Sequence, residues 1–442
     1  MVIGFAFIIL IGACLLSLPI SSQSGKSTDF LTSLFTSTSA VCVCGLVLVD
    51  TGTHWSLFGQ TVILFLIQIG GLGFVTMAVL FALIAKKKIH LKERLLIQES
   101  LNHFDLSGLI KLTKHVLLIT FVIETIGAII LSSEFIPQLG IKKGIWYSLF
   151  HSISAFCNAG FDLMGPISGK FSSLTSFNNN YTVSLTISAL ILLGGIGFPV
   201  IVEVLKAKKY KNLKKISIHS KIVLTFTITV TIIGTILLLL SESSNYRTIG
   251  NFSTGPKFLA SLFQCVTART AGFNTYNLSL MTGSGIFIMI ILMFIGASPA
   301  STGGGIKTTT LMTIILNVKA SILNKEDIEI YGKRLDDSIA RKAMGIFFMF
   351  ISLATFGTLV ISMTQPDFTL IESWFEVTSA ITTAGLSIGG TPTLNLIGKV
   401  AIISLMFIGR VGSLTILLAF TSKKSKNKTV NIRYPEEKIL VG

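Results

Sequence analysis

Four half-polar stretches recur along this chain, each ending in glycine followed by Phe or Leu: "FTSTSAVCVCGL", "HSISAFCNAGF", "FQCVTARTAGF" and "FEVTSAITTAGL". They place Gly45, Gly160, Gly272 and Gly385 at a spacing of about 113 residues, a period too regular for chance. Each stretch begins near a phenylalanine (Phe35, Phe150, Phe263, Phe375) and is preceded by an apolar run. After roughly 25–35 residues a second apolar run follows, carrying "IGGLGF", "GGIGF", "IGASPAS" or "IGRVGS". One repeat therefore reads as helix, half-helix with loop, helix. The expected fold is an all-α polytopic membrane protein. Four tandem helix–pore loop–helix repeats would surround one central pore, with eight spanning helices and four re-entrant half-helices. The expected divisions are 1–88 for the first repeat, 89–215 for a cytoplasmic hairpin and the second repeat, and 216–325 for the third. Residues 326–428 would form the fourth repeat and 429–442 a C-terminal tail.

The apolar runs set the solvent. Val2–Ile20, Thr61–Ala85, Leu112–Ile136, Thr182–Leu205, Ile222–Leu240, Phe287–Ile295, Ala343–Met363 and Leu396–Phe420 are the main ones. Most approach the roughly 20 residues needed to cross a hydrocarbon core. With 51% hydrophobic and 13% charged residues, the chain belongs in a bilayer. The first run has no basic segment before it and is read as a retained helix rather than a signal peptide. The net charge of +16 is a topology signal and not a nucleic-acid one. Lys and Arg concentrate in "AKKKIHLKER", "KAKKYKNLKK", the segment 319–342 and "SKKSKNK", after every second long run. The positive-inside rule makes those connections cytoplasmic and leaves the four glycine stretches outside.

Irregular backbone cannot face lipid, because each unpaired N–H or C=O would cost several kcal/mol. It survives where protein buries it or where it lines a water-filled cavity. Four equivalent loops around one axis would present a ring of carbonyls, which replaces the hydration shell of a cation. Glycine is needed where the chain adopts angles costly for any residue with a Cβ. The preceding half-helix points its negative C-terminal end at the same place. The five cysteines, Cys14, Cys42, Cys44, Cys157 and Cys265, include no CxxC and are expected to be buried, inert thiols. The six histidines lie at loops or span ends, without the constellation an intramembrane enzyme needs. Nothing in the chain reads as an ATP site, so no cofactor is expected in it.

Over essentially its whole length the chain resembles the membrane subunits of the Trk/Ktr/HKT potassium transporters, most of all the Ktr type. The resemblance is carried by "VDTGT", "FGQTVILFLIQIGGLGF", "LFHSISAFCNAGF", "TARTAGFN", "FIGASPASTGGGIKTTT", "MFIGRVGSLT" and the terminal "NIRYPEEKILVG". It implies potassium translocation, stimulation by sodium, and a homodimer in the plasma membrane of a bacterial-type cell with the C-terminus cytoplasmic. It also implies a cytoplasmic nucleotide-binding ring of RCK/KTN-type subunits as the regulatory partner. Carried over residue by residue, the filter would be Val43-Cys44-Gly45, Asn158-Ala159-Gly160, Thr270-Ala271-Gly272 and Thr383-Ala384-Gly385, with potassium the one metal ion and this filter its one site. Glycine at position 45, where sodium-permeable relatives carry serine, favours potassium.

Below the filter, "GASPASTGGGIKTTT" (Gly296–Thr310) resembles the family's intramembrane gating loop. Pro299 removes a backbone donor, and three successive glycines lower helix stability by about 1 kcal/mol each. The corresponding helices of the other repeats are expected to be unbroken. Gly303, Gly304, Gly305, Lys307 and Arg410 are the candidate gate, with Arg410 an electrostatic barrier under the filter. Glu124 and Glu203 are its candidate acidic partners. Arg269, inside the third loop, is expected to point behind the filter and pair with an acid such as Glu376. The segment Lys86–Lys114 is expected to form an amphipathic cytoplasmic hairpin that meets a soluble partner or anionic lipid headgroups. A different class, an ion-coupled secondary transporter with an occluded midplane site, uses broken helices in matching positions.

Overall fold

The computed structural model describes residues 2–73, 76, 109–209, 216–325 and 327–412. Helix starts follow local chemistry. Asp29 caps α2 (Phe30–Val41), Ser56 caps α3 (Leu57–Leu72) and Asn180 caps α6 (Tyr181–Ile196), each through an oxygen that accepts an amide of the first turn. Ser217, Thr282, Asp336 and Asn395 do the same for α8 (Ile218–Glu242), α10 (Gly283–Phe294), α12 (Asp337–Thr364) and α14 (Leu396–Val411). Thr369 and Glu372 form a reciprocal capping box on α13 (Leu370–Thr382). The remaining helices longer than one turn among the described residues are α1 (Val2–Ser17), α4 (Leu109–Leu139), α5 (Ile141–Phe156), α7 (Phe198–Lys209), α9 (Thr254–Ala268) and α11 (Thr308–Ile322).

The packing is cyclic. Each outer helix, α1, α4, α8 or α12, packs along the half-helix that follows it, α2, α5, α9 or α13. Each inner helix then reaches the next half-helix: α3 touches α5, α6 touches α9, α10 touches α13, and α14 returns to α2. The outer helices turn apolar side chains outward, among them Phe7, Leu118, Ile129, Ile228, Leu240, Phe348 and Phe356. Beyond their first turns, the serines and threonines of α2, α5, α9 and α13 are buried inside. Apolar outside and polar inside is the arrangement a bilayer requires. Of the eight expected spans, Thr113–Leu139, Ile218–Glu242 and Asp337–Thr364 are single helices long and apolar enough to cross.

Two expectations are corrected here. The inner helix of the second repeat is broken: α6 and α7 meet at Gly197 (φ +99°) with a bend of 98°. The third repeat is therefore not alone in its interruption, and α3 and α14 likewise end on left-handed glycines, Gly73 and Gly412. The reason is tertiary. The groups freed at the break bond to the third repeat: the Phe198 amide donates to Ala300, while the Gly194 and Gly195 carbonyls accept from Thr302 and Ser298. The fold is mostly helical, as expected, with one small exception among the described residues. Ile328–Ile330 and Lys333–Leu335 form an antiparallel hairpin, β1–β2, turned by Tyr331 and Gly332 at positive φ, the backbone a two-residue hairpin needs. Cys14 is exposed on α1, and the other four cysteines are buried. The expected hairpin lies outside the described residues except for the start of α4, and the C-terminal tail lies wholly outside them.

Candidate functional site

The four loops share one backbone path. Val43, Asn158, Thr270 and Thr383 all lie in the left-handed region (φ +54°, +59°, +70°, +52°), and two residues later Gly45, Gly160, Gly272 and Gly385 do so again (φ +99°, +69°, +82°, +77°). Left-handed angles at β-branched Val43, Thr270 and Thr383 are genuine outliers, costing on the order of 1–3 kcal/mol each. Such strain persists only where the surroundings over-determine it.

The loops close on one another. A Cβ placed on Gly45 would lie 2.7 Å from the Ala159 carbonyl oxygen and 3.1 Å from Gly160 Cα. On Gly160 it would meet Ala271 O at 2.7 Å and Gly272 Cα at 2.8 Å. On Gly272 it would meet Gly160 Cα at 2.9 Å, Ala384 O at 3.2 Å and Gly385 Cα at 3.4 Å. On Gly385 it would meet Gly45 Cα at 3.0 Å, and the Cys44 carbonyl closer still. Glycine here is a requirement of backbone angle and of space together.

Donors are turned away from the ring. The amides of Cys44, Ala159 and Ala384 bond back to the carbonyls of Ser39, Ser154 and Ser379 at 2.7–2.8 Å, and Ala271 bonds to Thr267 at 2.9 Å. Buried side chains brace the loops from behind. Ser39 Oγ accepts the Gly45 amide (3.0 Å), Ser154 Oγ donates to Phe161 O (2.7 Å) and Thr267 Oγ1 accepts the Phe273 amide (2.9 Å). His151 Nε2 accepts the Leu163 amide (3.3 Å), which leaves Nδ1 to donate to Tyr147 O (2.7 Å) and makes the ring a neutral brace. A cavity of about 600 Å³ opens on one side of the ring, lined by all four glycines with Asp50 and Asp162.

On the other side sits the loop between α10 and α11. It is folded on itself: Gly296 N donates to Ile306 O, Ala297 N to Gly304 O and Thr308 N to Ala297 O. Gly303 lies against Thr270 Oγ1, and Gly304 against Thr383 Oγ1, so a Cβ on either would strike these ring-loop threonines. Lys307 Nζ folds back onto Gly303 O at 2.7 Å. Arg410 donates to Thr302 O in this loop and to Gly70 O and Gly71 O at the end of α3. The two parts of the candidate gate, from different repeats, thus meet beneath the ring.

Two expected partners are not the observed ones. Arg269 points behind the loop, but its nearest acceptors are Thr227 O, Thr227 Oγ1 and Thr231 Oγ1 on α8 at 3.4–3.5 Å. Glu376 instead binds Ser387, Ile388, Gly390 and Thr391 of its own repeat. The cause is helix facing: α9 presents residue 269 to α8, whereas Glu376 faces the loop that follows its own half-helix. Neither Glu124 nor Glu203 pairs with Arg410. Glu124 accepts from Gln68 and faces the Cys157 thiol, and Glu203 accepts from Ser217 and Ser220. Among the described residues, the hydrogen-bond partners of Arg410 are backbone carbonyls. The braces Ser39, Thr267 and His151 were not singled out from the sequence, although each lies five to nine residues ahead of a ring glycine.

Residues 2–431 match the family described as TrkH, cation transport protein. The chain is 42% identical to the potassium/sodium uptake protein NtpJ of Enterococcus hirae, over 99% of this chain and 96% of that one. It is also 42% identical to the Ktr system potassium uptake protein B of Bacillus subtilis, over 100% and 95%. The crystal structure of the potassium transporter TrkH from Vibrio parahaemolyticus superposes with a TM-score of 0.72 at 17% identity, covering 96% of this chain and 86% of that one.

Proposed function

Because this chain belongs to the TrkH family of cation transport proteins, we propose that it carries potassium inward through the ring of Gly45, Gly160, Gly272 and Gly385. The relatives named as potassium uptake proteins support the choice of ion. The observation that carries the reading is the closed ring itself, with amides turned into the protein and strained residues repeated at one position of every loop. A dehydrated cation needs oxygens at fixed positions and no donors among them. One glycine per loop, against the longer filter of true potassium channels, leaves fewer well-defined sites and a weaker preference over sodium. The cavity with Asp50 and Asp162 is the outer vestibule, where acidic groups raise the local cation concentration. The loop 296–310 with Lys307 and Arg410 is the gate. Two cations, with no acid paired to them among the described residues, oppose passage below the ring until the loop moves. A homodimer, a cytoplasmic nucleotide-binding ring as regulator and stimulation by sodium complete the reading, on the resemblance to Ktr systems.

The test is Gly45→Ser. The added Cβ and hydroxyl meet the Ala159 carbonyl, so the variant is expected to insert normally while its rubidium-to-sodium uptake ratio falls. An unchanged ratio sinks the reading. The second broken helix, α6–α7, is the one feature that favours an ion-coupled carrier. Reversal potentials in proteoliposomes under opposed potassium and sodium gradients separate the two. A pore follows the permeant-ion gradient alone, and a carrier follows a fixed stoichiometric combination.

A further inference from the structure

The four loops are not held alike. In the first three, a hydroxyl of the half-helix, Ser39, Ser154 or Thr267, bonds the backbone at or just after the ring glycine. The equivalent hydroxyl in the fourth, Ser379 Oγ, is buried and has no partner. What holds that loop is Glu376, one turn earlier on α13 and fully buried. Its Oε1 accepts from Ser387 Oγ at 2.6 Å, from the Ile388 amide at 3.2 Å and from the Gly390 amide at 3.3 Å, while its Oε2 accepts from Thr391 Oγ1 at 2.5 Å. Ser387 in turn accepts the amides of Gly389 and Thr391. Ser387 stands two residues after Gly385, and with Gly389 it lines the cavity above the ring.

From this we infer that Glu376 is the positioning residue of the fourth loop, and that it sets cation preference by fixing where the carbonyl side of that loop stands. The inference rests on the filter reading above. The fourth loop closes the ring, because Gly385 lies against both Gly272 and the Cys44–Gly45 backbone. A shift there changes two of its junctions at once. Removing this buried acceptor leaves four donors unpaired, which frees the loop to find other bonds.

Four variants decide it, each reconstituted in proteoliposomes and compared by the ratio of initial rubidium to sodium uptake. Glu376→Ala is expected to lower the ratio about fivefold or more. Glu376→Gln keeps an acceptor at Oε1 and can donate to Thr391 from Nε2, so it is expected to stay within about twofold of the parent. Thr391→Val, losing one bond, is expected to fall between them. Glu242→Ala is the control. This equally buried carboxylate ties Thr282, Asn245 and Thr248 in the third repeat and touches no ring glycine. It is expected to cost stability and leave the ratio alone. An unchanged ratio in Glu376→Ala overturns the inference, as does a Gln variant that behaves like Ala or a control that lowers the ratio equally. If Glu376→Ala does not reach the membrane, an unchanged ratio in Thr391→Val overturns it. A parent protein that takes up both ions equally overturns the filter reading, a separate failure.

Discussion

The ring and the loop beneath it are both irregular, glycine-rich backbone at membrane depth, yet they are secured in opposite ways. Each ring loop is bonded to the end of its own half-helix and pressed against its neighbours, so these two restraints recur around the axis. The 296–308 loop is bonded both within itself and to other repeats: to the break at Gly197 through Ser298, Ala300 and Thr302, to Phe156 through Thr302 Oγ1, and to α14 through Arg410. The first arrangement moves only if four half-helices move. The second moves if a few hydrogen bonds exchange. The candidate filter and the candidate gate, made from the same residue type, thus differ in where their bonds end.

The harshest way to break the comparison is Gly160→Ala. It places a Cβ in a left-handed conformation, costing about 1–2 kcal/mol, and 2.8 Å from Gly272 Cα. A perturbation of that size corresponds to roughly five- to thirtyfold in rate, so potassium uptake at matched membrane abundance is expected to fall at least about fivefold. Uptake near the parent level would mean that the ring is as pliable as the loop. Deleting Gly303–Gly305 should act in the other direction. The plug shortens, and potassium uptake by cells lacking other transporters is expected to rise several-fold. Arg410→Ala frees the same loop from α3 and α14 and is expected to raise uptake by less. Because Arg410 bonds directly to Thr302 O, the double change should fall short of the product of the single effects, as contacting residues do. A fall in uptake in both single variants, with protein levels intact, would favour the coupled-carrier reading. Asp29→Ala is the mildest probe. It removes the cap of α2, costing about 1 kcal/mol of thermal stability in detergent, and the rubidium-to-sodium ratio is expected to hold. A changed ratio would show that the ring is sensitive to any loosening of its half-helices.

Some of this was written in the chain order. The register of the four ring glycines is legible because tandem repetition preserves spacing, and spacing needs no tertiary information. The third loop nevertheless departs from its siblings: Ala271 bonds four residues back, where Cys44, Ala159 and Ala384 bond five back. The one-residue difference is visible in the count from Phe263 to Gly272 against Phe35 to Gly45, but its meaning is not. Composition and hydropathy placed the chain in a bilayer, since a lipid solvent acts on every outward residue alike.

Pairing was decided only by the fold. Arg269 and Glu376 are each suitable partners for the other by charge, and helix facing sends one to the threonines of α8 and the other to Ser387 and Thr391. Arg410 found carbonyls where acids were expected, because a helix ending at Gly70 and Gly71 exposes oxygens that no residue letter records. The break at Gly197 has the same origin. "GGIGF" and "IGGLGF" look alike in sequence, and what accompanies the 98° bend is a set of partners about a hundred residues away at Ser298, Ala300 and Thr302. Periodicity is a property of the chain order and survives in one dimension. The satisfaction of a buried donor or charge depends on which surface arrives opposite, and that exists only in three.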